Sequence, residues 1–222
     1  LISNASSLTG NINNAGTLIL TGGTNANTIA GFGSTIGNLV INGNVTSTAQ
    51  ITQENLTVSN GSLFDNVYAT FNDTIFNSGA ITNNGVLFAD RLINNSGAIV
   101  TNNSTFSLYE GGINNGTITG NLGVLSVYND FTNSGSISQS EVYVNGGLFQ
   151  NDGSLNASNL YIATGTEFDT NMSDLNATVD NDGMIVTKGG TNTNTITGEG
   201  SLLVFGGAMI NDGTITQNDL LV

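Results

Sequence analysis

The sequence predicts an all-β fold: a right-handed parallel β-helix (β-solenoid) of about 18 to 20 residues per turn, with two or three longer turns, running as a single domain over residues 1–222. Three observations carry this prediction: a motif that recurs at that period, a composition that disfavours helix, and short apolar runs that alternate between Asn-Gly turns.

An Asn-x-Gly-x-aliphatic motif places its glycine at Gly16, Gly43, Gly61, Gly79, Gly97, Gly116, Gly135, Gly153, Gly183 and Gly213, at intervals of 27, 18, 18, 18, 19, 19, 18, 30 and 30 residues. Two residues after each glycine stands an aliphatic side chain, and Ile81, Ile99, Ile118, Ile137, Leu155, Ile185 and Ile215 are expected to stack as one internal column. Two residues before it, asparagine holds eight of the ten places: Asn14, Asn77, Asn95, Asn114, Asn133, Asn151, Asn181 and Asn211. A side-chain amide at a fixed corner can donate to one neighbouring turn and accept from the other, so these asparagines are expected to form a ladder along the axis. The adjacent glycine is expected to supply the positive φ of the corner. A second inward-facing strand is expected nine residues after the glycine, at Phe88, Phe106, Leu125, Val144 and Ile162. Aromatics also share places in the repeat, Phe131 with Phe149, Tyr143 with Tyr161, and Tyr109 with Tyr128. They read as turn-to-turn stacks or as an exposed ladder for glycans. The longest intervals call for extra residues, expected as loops or added strands over Asp169 to Val179 and Lys188 to Ile196.

The chain has 36 Asn and 30 Gly with abundant Ser and Thr, all poor helix formers, and its apolar runs are short, as in Leu39-Val40-Ile41 and Val142-Tyr143-Val144. It lacks Pro, Cys, Trp and His and carries 16 acidic but only two basic residues, Arg91 and Lys188, for a net charge of −14. A phosphate backbone or an anionic bilayer surface would find almost nothing to hold, so nucleic acid and membrane insertion are not expected. No run of apolar residues is long enough for a spanning helix. The chain opens at Leu1 with no charged-then-apolar leader, so any targeting segment is expected outside this stretch, which reads as excised from something longer.

Without His or Cys, the usual nucleophile-base pairs and zinc sites are absent, leaving carboxylates such as Asp169, Asp174, Asp180 and Asp182 as the remaining acids and bases. Two scattered basic residues are too few to hold an acidic polysaccharide, and the chain reads as a rod rather than an enzyme, with no cofactor expected. Calcium is the one metal considered: Asp152, Asp182 and Asp212 share the place just before the repeat glycine and would, if stacked, need a cation to offset their repulsion. The pattern of calcium-binding rolls is missing, and solvated corner carboxylates are the competing reading. Twelve Asn-x-Ser/Thr sequons, among them Asn4, Asn44, Asn55, Asn72, Asn94, Asn103, Asn156 and Asn176, are candidate glycosylation sites, though composition explains most of them.

Segments such as Phe131-Thr132-Asn133-Ser134-Gly135-Ser136-Ile137-Ser138 and Ile93-Asn94-Asn95-Ser96-Gly97-Ala98-Ile99 resemble the β-helical shafts of bacterial surface adhesins. The similarity is to filamentous-haemagglutinin-like exoproteins of two-partner secretion and to autotransporter passenger domains. It implies secretion, an extracellular or cell-surface location, and a part in adhesion or biofilm, with a cell-surface glycan or protein as partner. Two alternatives stand beside a shaft segment. One is a self-assembling extracellular filament or surface-layer subunit, suggested by uncapped apolar ends at Leu1-Ile2 and Leu220-Leu221-Val222. The other is a glycan- or ice-binding solenoid, although Thr191, Thr193 and Thr195 lie along the chain and suggest no flat threonine array.

Overall fold

The computed structural model describes residues 1–31 and 34–222. It is a right-handed parallel β-solenoid of about 12 turns, almost wholly β. Its strands join in one 25-stranded sheet plus a two-stranded one, and all pair in parallel with the turns before and after. At about 4.8 Å per turn the rod is roughly 55 Å long.

Each turn crosses three faces. The first face includes Asn44–Ser47 and Ile99–Asn102, the second Ile51–Gln53 and Thr195–Thr197, the third Asn38–Ile41 and Leu148–Asn151. Single-turn 3₁₀ helices, Ala5–Ser7 and Met172–Asp174, replace part of the first face in two turns. Alternation of buried and exposed residues follows from the pleat, and each face sends two side chains inward where its neighbours wait. On the first face Phe64, Ile81, Val100, Ile118, Ile137, Leu155 and Leu175 are in register. On the third, Phe131, Phe149 and Phe168 stack inside the rod with ring centroids 5.1 and 5.3 Å apart. These rings are fully buried, so the phenylalanine pair is a core stack.

Four expected placements change. Ile99 is 44% exposed and Val100 takes its place in the core column. Ile185 is buried but continues the phenylalanine column of the third face, and Ile215, partly buried, belongs to the second face above Ile196. Phe88 points outward between buried Leu87 and Ala89, while Phe106 and Leu125 stack above Leu87.

The two longest motif intervals hold no protruding loop. The stretches around Asp169 and Lys188 are in short, ordinary turns, with Phe168 on Ile185 and Val179 on Ile196, the same 17-residue separation that pairs Ile2 with Ile19. The motif instead changes corner. Gly153 joins the third face to the first, Gly183 the second to the third, and Gly213 the first to the second. Each of these steps is thus one turn and two faces more. The longest turn is the one that leads from Ile29 to its partner Ile51.

The corner glycines are explained mainly by crowding. Of the ten motif glycines only Gly43, Gly61 and Gly97 have positive φ. At Gly116, Gly135 and Gly153 a Cβ would lie 2.3, 2.0 and 2.1 Å from a carbonyl oxygen of the preceding turn. Any side chain there would push two turns apart.

Candidate functional site

Inside the rod, polar side chains form ladders. Asn77 donates to Asn94 at 2.8 Å, and Asn94, Asn114 and Asn133 each donate to the next, ending at Asn151, at 2.7 Å; Asn151 donates to Thr170 at 3.0 Å. All of these residues are buried, and Val58 and Val204 occupy the same column at its two ends. The structure therefore brings together Asn77, Asn114, Asn133 and Asn151 but runs the ladder through Asn94. Asn95 is exposed and donates only to Ser78 Oγ, because the corner around Gly97 is longer than its neighbours and counting back from the glycine lands outside. Asn181 and Asn211 sit in other columns. Asn181 donates to Ser201 O and to Gln217 on the second face, and Asn211 accepts from Asn192 at 2.7 Å on the first.

A second ladder, unforeseen in the sequence, runs on the first face from Asn66 to Asn83 (3.1 Å), Asn102 (2.8 Å) and Gln139 (2.7 Å). Its last step skips a turn, where Gly120 leaves the place empty and the longer glutamine reaches across. Asn181, Gly198 and Gln217 repeat this device, as do Asn14, Gly31 and Gln53. An Asn, Gly and Gln spaced one turn apart are a signal that the sequence contains.

Outside, the three faces carry different chemistry. The central outward column of the first face reads Thr46, Asp65, Thr82, Thr101, Thr119 and Ser138. This corrects the expectation that no threonine column exists: the threonines directly follow the core aliphatics Val45, Ile81, Val100 and Ile118, one turn apart rather than along the chain. The second face bears Phe88, Tyr109 and Tyr128 stacked at 6.1 and 5.4 Å, then Tyr143 on Tyr161 at 4.6 Å with planes 11° apart. Stacking covers ring faces between neighbouring turns, most closely for Tyr143 on Tyr161, while Tyr109 and Tyr128 stay 47% and 45% exposed. The third face bears an aliphatic column.

Charge collects at the corner between the second and third faces. Glu54, Asp73, Asp90 and Glu110 occupy it in four successive turns, at slightly different distances after Gly43, Gly61, Gly79 and Gly97. Burial, then Glu110 and Asp73, raise the Asp90 carboxyl above its ordinary value. A raised carboxyl opposes folding when ionised, so this penalty is full above the folded-state pKa and is relieved as pH falls through it. Asp90→Asn is expected to stabilise the chain at pH 7 by about 0.5 kcal/mol or less, the scale of exposed charge pairs, seen as a higher urea midpoint, and to lose that advantage in acid. A lower midpoint at pH 7 would contradict the repulsion. Both basic residues bridge turns, Arg91 to Glu110 at 3.3 Å and Lys188 to Asp169 at 3.4 Å.

The calcium candidates do not converge. Asp152, Asp182 and Asp212 lie at three different corners for the reason given for their glycines, and among the described residues no three acidic side chains meet around one point. A hollow of about 520 Å³ beside Asp182 is lined also by Asp130, Thr166, Glu167 and Met184 and lies open to solvent. Of the sequons, Asn94 and Asn102 are buried in ladders, while Asn44, Asn72 and Asn115 are among the exposed ones. Any glycan on the folded chain would fall on the exposed group.

Tyr143 donates a 2.8 Å hydrogen bond to Glu141, which together with burial and the Glu141 charge pushes its phenol up to about 12. Folding favours the protonated form, so this contribution is intact below the ordinary value of 10.0 and lost as pH rises through about 12. An ultraviolet titration of the five tyrosines is expected to show one late phenol that Glu141→Gln shifts down; a titration unchanged by that substitution would refute the assignment.

The chain matches no protein-family model, no curated protein and no solved structure. Its functional reading rests on this geometry.

Proposed function

We propose that this chain is a structural shaft segment of a secreted or surface-displayed bacterial adhesin, a rod that sets reach while adhesive groups lie elsewhere. The observation that supports the reading most is how much of the interior joins one turn to the next. Buried asparagines, stacked phenylalanines and aliphatic columns run turn to turn, so each turn is held by its neighbours over the length of the rod. Negative-stain images of the chain are the test. Separate rods of roughly 55 Å are expected. Long fibres would instead favour a self-assembling extracellular filament or surface-layer subunit. Surface display is tested by antibody labelling of intact source cells, and a signal seen only after lysis would overturn it.

The threonine column favours a second reading. Thr82, Thr101 and Thr119 with Ser138 set hydroxyl groups, flanked by methyls at the threonines, about 4.8 Å apart along one face, a spacing suited to ice or to an ordered glycan. An ice-recrystallisation assay and a pull-down on insoluble polysaccharide test it, and inactivity in both would remove it.

A further inference from the structure

We propose that the aliphatic column on the third face is a self-association surface through which two copies of this chain pair side by side and antiparallel. The column runs through seven successive turns, and in six of them the outward residue is large and apolar: Ile2, Ile19, Val40, Phe76, Ile93 and Ile113. Phe76 is 40% and Ile113 42% exposed, and Thr57 supplies the seventh place. The next turns place Thr132, Gln150 and Asp169 there, which breaks the stripe for three turns, and the column turns aliphatic again only in its last three places, Val186, Leu203 and Leu221, among the acidic turns. An apolar row broken only at Thr57 and running along one side of the rod marks a contact surface.

The distribution of charge identifies the occupant and its direction. Residues 1–53 contain no charged side chain, whereas beyond Ile113 the chain has eleven acidic residues and one basic. A parallel pair would lay these acidic turns alongside each other over their whole length. An antiparallel pair about a twofold axis near Thr57 overlaps only the seven apolar turns and sends the acidic turns out in opposite directions. In that arrangement Asp73, Asp90 and Glu110 of each rod lie beside uncharged turns of the other. A strip about 30 Å long and one strand wide covers roughly 450 Å² per rod, near the lower limit for a specific contact, so the dimer is weak.

Sedimentation velocity over a wide range of concentration, with small-angle scattering of the same samples, tests this on the whole chain. The expected result is a monomer–dimer equilibrium, strengthened by salt, in which the dimer is about half as long again as the monomer. Ile93→Glu, and separately Ile113→Glu, should weaken dimerisation at least tenfold while leaving the circular dichroism spectrum unchanged, and Thr101→Glu on the first face should have no effect on it. A chain that stays monomeric at the highest concentration in high salt overturns the proposal. So does a dimer no longer than the monomer, which means parallel pairing, or one that neither third-face variant weakens, which means association through the ends.

Discussion

Replacing Asn114 with alanine is expected to destabilise the rod by about 3 to 5 kcal/mol, far beyond a typical polar substitution. Its Oδ1 accepts from Asn94 and its Nδ2 donates to Asn133, both at 2.7 Å, with a longer bond to Ser136 O at 3.3 Å. All three amides are fully buried. Alanine removes these bonds and strands a donor on one side and an acceptor on the other, each with a desolvation cost of about 1 to 3 kcal/mol. The neighbouring pair Asn94 and Asn95 supplies the control. Asn94→Ala should cost a similar amount, whereas Asn95→Ala should stay within about 0.5 kcal/mol, as expected for an exposed residue. Urea unfolding of the three variants checks the effect, and equal losses at Asn94 and Asn95 would show the register to be wrong. Substituting valine at all five asparagines from Asn77 to Asn151 should cost much less than five single changes. Both partners of each of the four amide–amide rungs then vanish together, leaving mainly the longer bonds to backbone carbonyls and the bond to Thr170 unmade, and Val58 and Val204 already fill that column.

The fold was legible because the solenoid repeats one environment many times: Ile81, Ile118, Ile137 and Leu155 announce an inward column by spacing alone. What spacing conceals is which face a motif occupies. A corner asks only for a small residue at close backbone approach and an amide beside it, and this rod has three such corners per turn. Gly153, Gly183 and Gly213 therefore share a motif without sharing a corner, and the aspartates beside them share nothing in space. At Asn94-Asn95, two adjacent asparagines with a lengthened corner make the position ambiguous by one residue, and only pairing with Asn77 and Asn114 decides it.

The outer columns were less legible for a different reason. The Glu54, Asp73, Asp90 and Glu110 corner drifts in its distance from the glycine because short bulges absorb residues without disturbing the core. Inward positions also shift against the glycine, Val100 replacing Ile99 for instance, but they stay paired from turn to turn, since a slip of one residue against the neighbouring turn would send a core side chain out to solvent. The interior thus fixes register tightly and leaves the surface free to vary, which is why the sequence pattern describes the scaffold better than what the scaffold presents.

Gly135→Ala is the second large effect expected, and its mechanism separates two explanations of the corner glycine. Gly135 has no positive φ, so torsional strain gives alanine no reason to fail. A Cβ would nevertheless lie 2.0 Å from Gly116 O, closer than atomic contact by more than about 1 Å. The collision is with backbone, which cannot swing aside. To relieve it the turns must separate, weakening the bond from Ser136 N to Gly116 O (2.9 Å) and straining the Asn114–Asn133 rung at the same corner. A loss of about 2 to 4 kcal/mol follows from overpacking plus a weakened buried bond. Gly165 is the counterpart: its φ is +81° and a Cβ there meets open space, so Gly165→Ala should cost only the torsional penalty of about 1 to 2 kcal/mol. Asparagine tolerates that backbone region, so Gly165→Asn should recover part of the loss, whereas Gly135→Asn, with a larger side chain against the same carbonyl, should be worse than Gly135→Ala. Urea midpoints of the four variants decide the matter. If asparagine rescues Gly135 as it does Gly165, backbone conformation rather than the closeness of the turns is what these glycines provide.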